Sequence, residues 1–163
     1  MPSSTGSSGL KNFIKKHNLW DAEQEKVAAS VLKQIHDLKL EAVRLSFTDQ
    51  HGILRGKTIM TAEVESILSS GCTMTSTLLL KDTSNRTVFP IWTSGAGMDE
   101  VRFNGAGDMV MVPDPATFRV LPWTKKTGWL LCDIYFPSGQ SIPFSSRSLC
   151  SRALEMLSTI GFG

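Results

Sequence analysis

The chain has 163 residues, of which 41% are hydrophobic and 20% are charged, ordinary values for a globular protein with one buried core. No apolar run approaches the roughly 18 to 20 residues that a membrane-spanning helix needs. The formal net charge of +2 comes from intermixed acidic and basic residues, so it argues against nucleic acid and against an anionic membrane as partners.

The cysteines indicate a reducing compartment. Cys72, Cys132 and Cys150 are odd in number and far apart, which argues against a disulfide framework and against a CxxC metal site. Residues 1–9 are polar and glycine-rich and lack the apolar segment of a secretory signal. We therefore expect 1–19 to be a disordered or weakly ordered lead-in, either native or left from cloning, and the protein to be cytoplasmic.

The first regular element is predicted to be an amphipathic helix over about 22–38. Asp21 and Gln24 have the spacing of a capping box, in which each side chain accepts a hydrogen bond from the other residue's backbone. Three- and four-residue spacings predict one apolar face made of Val27, Val31, Ile35 and Leu38.

A β-hairpin is predicted next. Residues 41–48 alternate apolar and polar side chains, residues 49–52 are turn formers, and 53–60 return in an extended pattern. Thr61 is expected to cap a short helix, and Gly71 to end that helix in a left-handed conformation.

The remaining pattern predicts further strands and one last helix. The helix begins after Ser145 or Ser146 and carries its apolar residues on one face. The strand from 129 to 136 is nearly all apolar, so we expect both of its faces to be buried. Hairpins with interspersed helices predict an α+β fold. The expected strands are 78–80, 88–92, 108–112, 117–121 and 129–136, and the apolar face of the helix is Leu149, Ala153, Met156, Leu157 and Ile160.

Residues 93–107 contain four glycines and little periodicity, which predicts a flexible loop of functional rather than core character. The glycines match neither GxGxxG nor GxxxxGK[ST], so flexibility is favoured over phosphate binding. Asp99 and Glu100, with Asp108 nearby, are either acid–base or cation-binding carboxylates or, more simply, solvated side chains. Arg102 either holds an anionic ligand or is an ordinary surface arginine.

Other catalytic signals are weak in this sequence. His17, His36 and His51 are distant from one another and lack partners at metal-ligand spacing. No GxSxG motif occurs, and Cys132 lies in an apolar strand that is better interpreted as core than as the setting of a nucleophile. The residues alone therefore predict neither a metal site nor a catalytic group.

Four segments nevertheless resemble the glutamine synthetase family. VRLSFTDQHGILRGKTI (43–59) is similar to the opening hairpin of that family's amino-terminal domain, and GDMVMVPDPATFRVLPW (107–123) is similar to its PDP-x-T segment. GWLLCDIY (128–135) and IPFSSRSLCSRALEML (142–157) resemble the following strand and the helix that leads to the catalytic domain. The resemblance covers about 20–161.

The resemblance implies an ATP-dependent ligase that joins glutamate to ammonia or to another amine. It implies a β-grasp-like small domain with an amino-terminal helical extension over 20–137, and a linker and helix over 138–163 that lead to a catalytic domain. That larger domain carries the nucleotide site, the Mg²⁺ or Mn²⁺ ligands and the catalytic residues in the family. The present residues are therefore expected to bind no cofactor or metal and to be inactive alone.

The family's small domain also contacts a neighbouring subunit in a homo-oligomeric ring and contributes a loop to that subunit's active site. The corresponding substrate-side residues would be Ser94, Gly95, Asp99, Glu100 and Arg102. Well-known members have an FDGSS segment whose aspartate helps bind ammonium, whereas Ser94 is neutral, so Asp99 or Glu100 replaces that charge or the donor is another amine. The alternative interpretations are a stand-alone β-grasp interaction module and a non-catalytic family scaffold.

Overall fold

The computed structural model describes residues 10–90, 92–93, 103 and 107–162. They form a six-stranded mixed sheet with helices packed against it. The helices are α1 Phe13–Lys16, α2 Ala22–Asp37, α3 Val64–Ser70 and α4 Ser146–Thr159. The strands are β1 Ala42–Thr48, β2 Leu54–Met60, β3 Cys72–Thr75, β4 Asp108–Pro113, β5 Arg119–Val120 and β6 Thr127–Tyr135. Short 3-10 helices span Thr61–Glu63, Ser76–Leu80 and Pro115–Thr117.

The sheet has the strand order β2-β1-β6-β4-β3, with β5 paired to β6 beside this path. The β1–β2 hairpin is antiparallel and pairs Ala42 with Met60 and Thr48 with Leu54, which confirms the predicted hairpin. Its first strand pairs in parallel with β6, the last strand of the sheet. The first and the last strand in the sequence are therefore neighbours in the middle of the sheet. The predicted combination of helices with a sheet built from hairpins, an α+β fold, is confirmed.

Helix α2 covers one face of the sheet. Its predicted capping box is present, with the Gln24 amide 2.8 Å from Oδ1 of Asp21 and the Asp21 amide 3.1 Å from Oε1 of Gln24. Val31 and Ile35 are buried against the sheet as predicted. Leu38, assigned to the same face, is 53% exposed because α2 ends at Asp37 and the chain turns away.

The core confirms the alternation predicted for β1, whose Val43, Leu45 and Phe47 are buried. The prediction for β6 is wrong in one respect. Its even-numbered residues from Leu130 to Ile134 are buried, but the odd-numbered ones between Trp129 and Tyr135 are half-buried. The nearly continuous apolar sequence of β6 therefore gave no indication that only one face of the strand is fully buried.

Residues 10–19 pack against the sheet through helix α1. Helix α1 buries Phe13 and Ile14 in a second apolar cluster with Val110 and Val112 of β4. Just beyond it, Nε1 of Trp20 donates a hydrogen bond to the Pro113 carbonyl oxygen at 3.1 Å. The prediction of a weakly ordered lead-in over 1–19 stays a prediction, and residues 1–9 lie outside the described residues.

Several local assignments differ from the sequence prediction. Residues 78–80 belong to a 3-10 helix and not to a strand, and the preceding strand β3 had not been predicted. Residues 88–90, the described beginning of the strand predicted over 88–92, contain no strand, and only two residues of 117–121 do. Thr61 is not a helix cap, because the 3-10 helix that precedes α3 begins at this residue and no side chain caps it.

Helix α4 follows the predicted position but not the predicted packing. Ser145 caps it by accepting a hydrogen bond from the Ser148 amide at 3.4 Å. The helix buries none of its residues. Its predicted apolar face lies at the surface, with Met156 and Ile160 71% and 68% exposed.

Candidate functional site

The five predicted substrate-side residues lie outside the described residues. These are Ser94, Gly95, Asp99, Glu100 and Arg102, so their prediction stays untested. The structure does describe the chain on both sides of them. The candidate site is therefore defined by how the sheet holds these two ends.

The carboxyl-terminal end is fixed by a buried aromatic side chain and a hydroxyl. Phe103 is 2% exposed, and its ring centroid lies 5.2 Å from that of Phe136 and 5.0 Å from that of Phe144. Ser76 donates to the Gly107 carbonyl oxygen from its amide at 2.8 Å and from its hydroxyl at 2.9 Å. The prediction that 93–107 has no core character is therefore wrong at Phe103.

The amino-terminal end is a short turn. Lys81 and Thr87 form an isolated antiparallel bridge, and the Val88 amide donates to the Leu80 carbonyl oxygen at 3.0 Å. The chain then reaches Trp92, whose side chain is 76% exposed. The exposed indole of Trp92 offers a large apolar surface that a partner or a ligand could cover.

Residues 49–55 at the tip of the β1–β2 hairpin contact this turn. Nε2 of Gln50 donates to the Leu79 carbonyl oxygen at 2.6 Å, and Nε2 of His51 lies 3.0 Å from the Lys81 carbonyl oxygen. Because the Lys81 carbonyl oxygen can only accept a hydrogen bond, Nε2 of His51 must carry the proton in this contact. The hairpin tip therefore holds two carbonyl groups of the segment that leads toward position 91.

Asp49 organises the hairpin tip from inside. Its side chain is 1% exposed, and its Oδ1 accepts hydrogen bonds from the His51 and Ile53 amides, both at 2.9 Å. Its Oδ2 accepts from Nε of Arg55 at 2.6 Å, while the other end of this guanidinium donates to Oδ1 of Asn85 at 3.1 Å. One buried charge thus links the hairpin to the 82–85 turn.

The pKa of Asp49 is set by opposing effects. Burial raises it, but the hydrogen bonds from Arg55, Ile53 and His51 together with the positive charge of Arg55 outweigh burial and hold the pKa below its ordinary value. The carboxylate therefore stays ionised at neutral pH. An acid group held in this way is structural and not poised for proton transfer.

A second charged cluster fastens α4 to the sheet. Arg147 contacts two carboxylates, with its Nε 3.2 Å from Oδ1 of Asp133 and its Nη2 paired with Oδ2 of Asp114. Burial raises the pKa of Asp133, the charge of Arg147 opposes that rise, and Asp114 adds to it. The cluster joins β6, the turn after β4 and the first turn of α4.

Sequence reasoning missed both charged clusters. Asp49 was interpreted only as a turn former, and Arg147 was not considered. Asp114 was part of the PDP segment that carried the resemblance, but a motif gives no information on which cation it contacts. The available signal was the presence of aspartates inside otherwise apolar strands and turns, since such residues are rarely buried without a partner.

The other candidate chemistries find little support in the described part of the chain. No group of three or more His, Cys, Asp and Glu side chains lies together there so as to hold a metal ion. Cys132 is buried, and burial raises its thiol pKa, as expected for a core residue. None of the described helices is long and apolar enough to cross a membrane.

Comparisons with known proteins identify the family. The chain is 40% identical over 154 residues to a gamma-glutamylanilide synthase from Acinetobacter sp, a match covering 93% of this chain and 31% of that protein. It is 33% identical over 127 residues to human lengsin, covering 76% and 23% of the two chains. A Mycolicibacterium smegmatis glutamine synthetase is 30% identical over 137 residues, with 81% and 26% covered. No protein-family model matches the chain.

Solved structures show the same fold. A structure titled "GmaS/ADP complex-Conformation 1" matches with a TM-score of 0.58 and 22% identity, covering 79% of this chain and 25% of that one. A structure titled "Crystal structure of novel glutamine synthase homolog" gives 0.59 and 23%, covering 75% and 28%. The chain spans less than a third of the length of each of these relatives. It belongs to the glutamine synthetase family.

Proposed function

We propose that the chain is the amino-terminal part of an ATP-dependent ligase that forms a γ-glutamyl amide from glutamate and an amine other than ammonia. The supporting observation is the 40% identity to a gamma-glutamylanilide synthase, compared with 28% to 30% for the glutamine synthetases. An anilide is the amide of an aromatic amine. The nitrogen donor is therefore expected to have an apolar body.

The neutral residue at position 94 agrees with this donor. A carboxylate favours the small ammonium ion, because a unit charge pair at 4 Å is worth about 1 kcal/mol in water and more when partly buried. Ser94 offers only a hydroxyl to such a cation. The proposed substrate-side residues are Ser94, Gly95, Asp99, Glu100 and Arg102. In the sequence they lie between Thr87, which bridges to Lys81, and the buried Phe103.

The proposal includes the assembly that the family resemblance implies. The small domain is assigned to the β-grasp class, with support from the β1–β2 hairpin and the parallel pairing of β1 with β6 at the centre of the sheet. Residues 138–163 are the link toward a catalytic domain. The subunits form a cytoplasmic homo-oligomeric ring in which this domain contacts its neighbour, and exposed Trp92 and Trp123 offer apolar surface for such contacts.

ATP and Mg²⁺ or Mn²⁺ are assigned to the rest of the ligase. The described residues do not fit a metal ion, because they hold no group of three or more His, Cys, Asp and Glu side chains and the carboxylates of Asp114 and Asp133 both contact Arg147. We accordingly expect residues 1–163 alone to show no ATP-dependent γ-glutamyl transfer.

The test is a donor panel on the purified full-length protein with glutamate and ATP. Release of ADP and the mass of the γ-glutamyl product would be measured with ammonia, methylamine and aniline. We expect kcat/KM for at least one amine to exceed that for ammonia about tenfold, a difference of roughly 1.4 kcal/mol in transition-state stabilisation. A highest kcat/KM for ammonia would refute the proposed donor, and no turnover with any donor would refute the ligase.

Ser94→Asp gives a sharper version of this test. The added carboxylate should raise the use of ammonia relative to the amine by roughly fivefold, the equivalent of about 1 kcal/mol. Ser94→Asn has a similar size without the charge and serves as the matched control. An equal response to both substitutions would show that charge at this position does not select the donor.

A further inference from the structure

We propose that the outer face of the sheet, the side away from α2, carries a binding site for a small aromatic carboxylate. The site lies over Trp129 of β6, between Arg44 of β1 and Arg119 of β5. It uses none of the substrate-side residues of the proposed ligase and does not rest on that function.

The strand register places both arginines beside the same indole. Trp129 is paired with Arg44 on one side and with Arg119 on the other. Paired residues of neighbouring strands point to the same face of a sheet, and the next residues along β1 and β6, Leu45 and Leu130, are buried on the opposite face. Because neighbouring strands lie about 4.8 Å apart, the Cα atoms of the two arginines are separated by roughly 10 Å, a span that two arginine side chains can close.

Both arginines are available to an anion. Arg44 and Arg119 are exposed, and no carboxylate in the described part of the chain lies within ion-pair distance of either guanidinium. Arg55 and Arg147 differ from them, because each of these contacts an aspartate. Two unpaired guanidinium groups on one face favour an anion, and the planar fork of each matches a carboxylate.

A cleft beside Arg44 supplies the apolar part of the site. Its volume is about 450 Å³, within the range of roughly 300 to 1,000 Å³ that holds small ligands. Trp129 is half-buried and fixed by a hydrogen bond from its Nε1 to Oγ of Ser46 at 3.0 Å, whereas Trp123 is 70% exposed. An aromatic ring in the cleft would cover indole surface that is otherwise in water. The lining residues are Arg44, Ser46, Leu54, Leu121, Trp123 and Trp129.

Charge and shape together specify the class of ligand. Arg44 lines the cleft, so a ring in the cleft can carry a carboxylate to its guanidinium, and Arg119 offers a second guanidinium from the other side of Trp129. A neutral aromatic molecule would leave both arginines without an anion. A small anion such as acetate would leave the indoles uncovered.

Binding is tested by calorimetric titration of the full-length protein with phenylacetate. Saturating glutamate is present, so that any glutamate-binding site is already occupied. We expect a Kd of roughly 1 mM, as is reasonable for a ligand of this size. Phenylacetamide has the same shape without the charge and acetate lacks the ring, so each should bind at least about tenfold more weakly. Absence of phenylacetate binding, or equal binding of phenylacetamide, would overturn the site.

Substitutions locate the binding on this face. Arg44→Met and Arg119→Met should each weaken phenylacetate binding about tenfold, and Trp129→Phe, which loses the bond to Ser46, about threefold. Arg86→Met removes an exposed arginine from the 82–86 turn and is the matched control, with no change in Kd expected. Unchanged affinity in both of the first two variants would contradict the proposal.

Thermal unfolding and light scattering separate this site from two simpler roles of the same residues. Both arginine variants should keep Tm within about 2 °C, and phenylacetate should raise Tm of the unsubstituted protein. A lower Tm in both variants without phenylacetate binding would show that the arginines only cover Trp129. An altered oligomeric state in Arg44→Met without phenylacetate binding would show that this face, with Trp123, is a subunit contact. Either result would overturn the ligand site.

Discussion

Replacement of Arg147 should test whether one side chain fastens α4 to the sheet. Helix α4 buries none of its residues, so its attachment depends on its first turn. There Ser146 donates a hydrogen bond from its hydroxyl to the Thr48 carbonyl oxygen at 3.0 Å, and Arg147 contacts Asp114 and Asp133. Arg147→Met keeps the length and apolar stem of the side chain but removes its charge.

The magnitude follows from how far the three groups are buried. Exposed ion pairs contribute about 0 to 1 kcal/mol, whereas removing one partner of a buried pair costs about 3 to 5 kcal/mol. The side chains of Arg147, Asp114 and Asp133 are 28%, 13% and 29% exposed, between these limits. The substitution also leaves two like charges side by side. We expect a loss of about 2 to 3 kcal/mol in the free energy of unfolding.

Urea unfolding at pH 7 and thermal unfolding would measure this loss. A change of 1 kcal/mol shifts Tm by roughly 2 to 4 °C in a protein of this size, so Tm should fall by about 4 to 12 °C. Arg152→Met, an exposed arginine one and a half turns later in α4, is the matched control and should change stability by less than about 0.5 kcal/mol. Equal effects of the two substitutions would refute the attachment by Arg147.

Three further substitutions, one of them with its own control, test other contacts. Because the pKa of Asp49 is lowered in the folded chain, its carboxylate stabilises the fold above its unfolded pKa of about 3.9, and this contribution is lost as pH falls. Asp49→Asn should therefore cost about 2 kcal/mol at pH 7 and progressively less below pH 4 in urea unfolding, and a pH-independent difference would contradict this. Gly71→Ala places a Cβ 2.6 Å from Cγ1 of Val110 and 2.9 Å from the Met111 carbonyl oxygen at a φ of 71°, so we expect a loss of about 3 kcal/mol. Gly161→Ala, at a φ of 88° with nothing within 4 Å, is the control that lacks the close contact and should cost about 1 kcal/mol; equal losses would exclude the close contact as the cause. Asp21→Ala should lower stability by about 1 kcal/mol through loss of the capping box, and an unchanged urea midpoint would show that the cap contributes nothing.

The hairpin and α2 could be predicted from sequence because local rules decide them. The Asp21–Gln24 cap, the two-residue alternation of β1 and the turn at 49–52 each depend on residues within a few positions of one another. Strand β3 could not be predicted in this way. Cys72–Thr75 forms a strand because it pairs with Met111–Asp108, more than thirty residues later, and its own sequence lacks a clear period.

The charged clusters illustrate a different limit. Arg55 contacts Asn85, and Arg147 contacts Asp114 and Asp133, so the partners are 14 to 33 residues apart in sequence. A sequence shows which residues are charged but not which ones meet. The same limit applies most strongly to the predicted site residues within 94–102. Their assignment depended on family resemblance alone, and none of them is among the described residues.

The two amphipathic helices show what periodicity can and cannot establish. Val31 and Ile35 of α2 lie in the same kind of three- and four-residue pattern as Met156 of α4 and Ile160, which directly follows that helix. The first pair is buried and the second is more than two-thirds exposed. A period of 3.6 residues specifies that a helix has one apolar face but not the surface that covers it. Because the polar contacts that hold α4, those of Ser146 and Arg147, lie in its first turn, the apolar residues further along the helix stay at the surface.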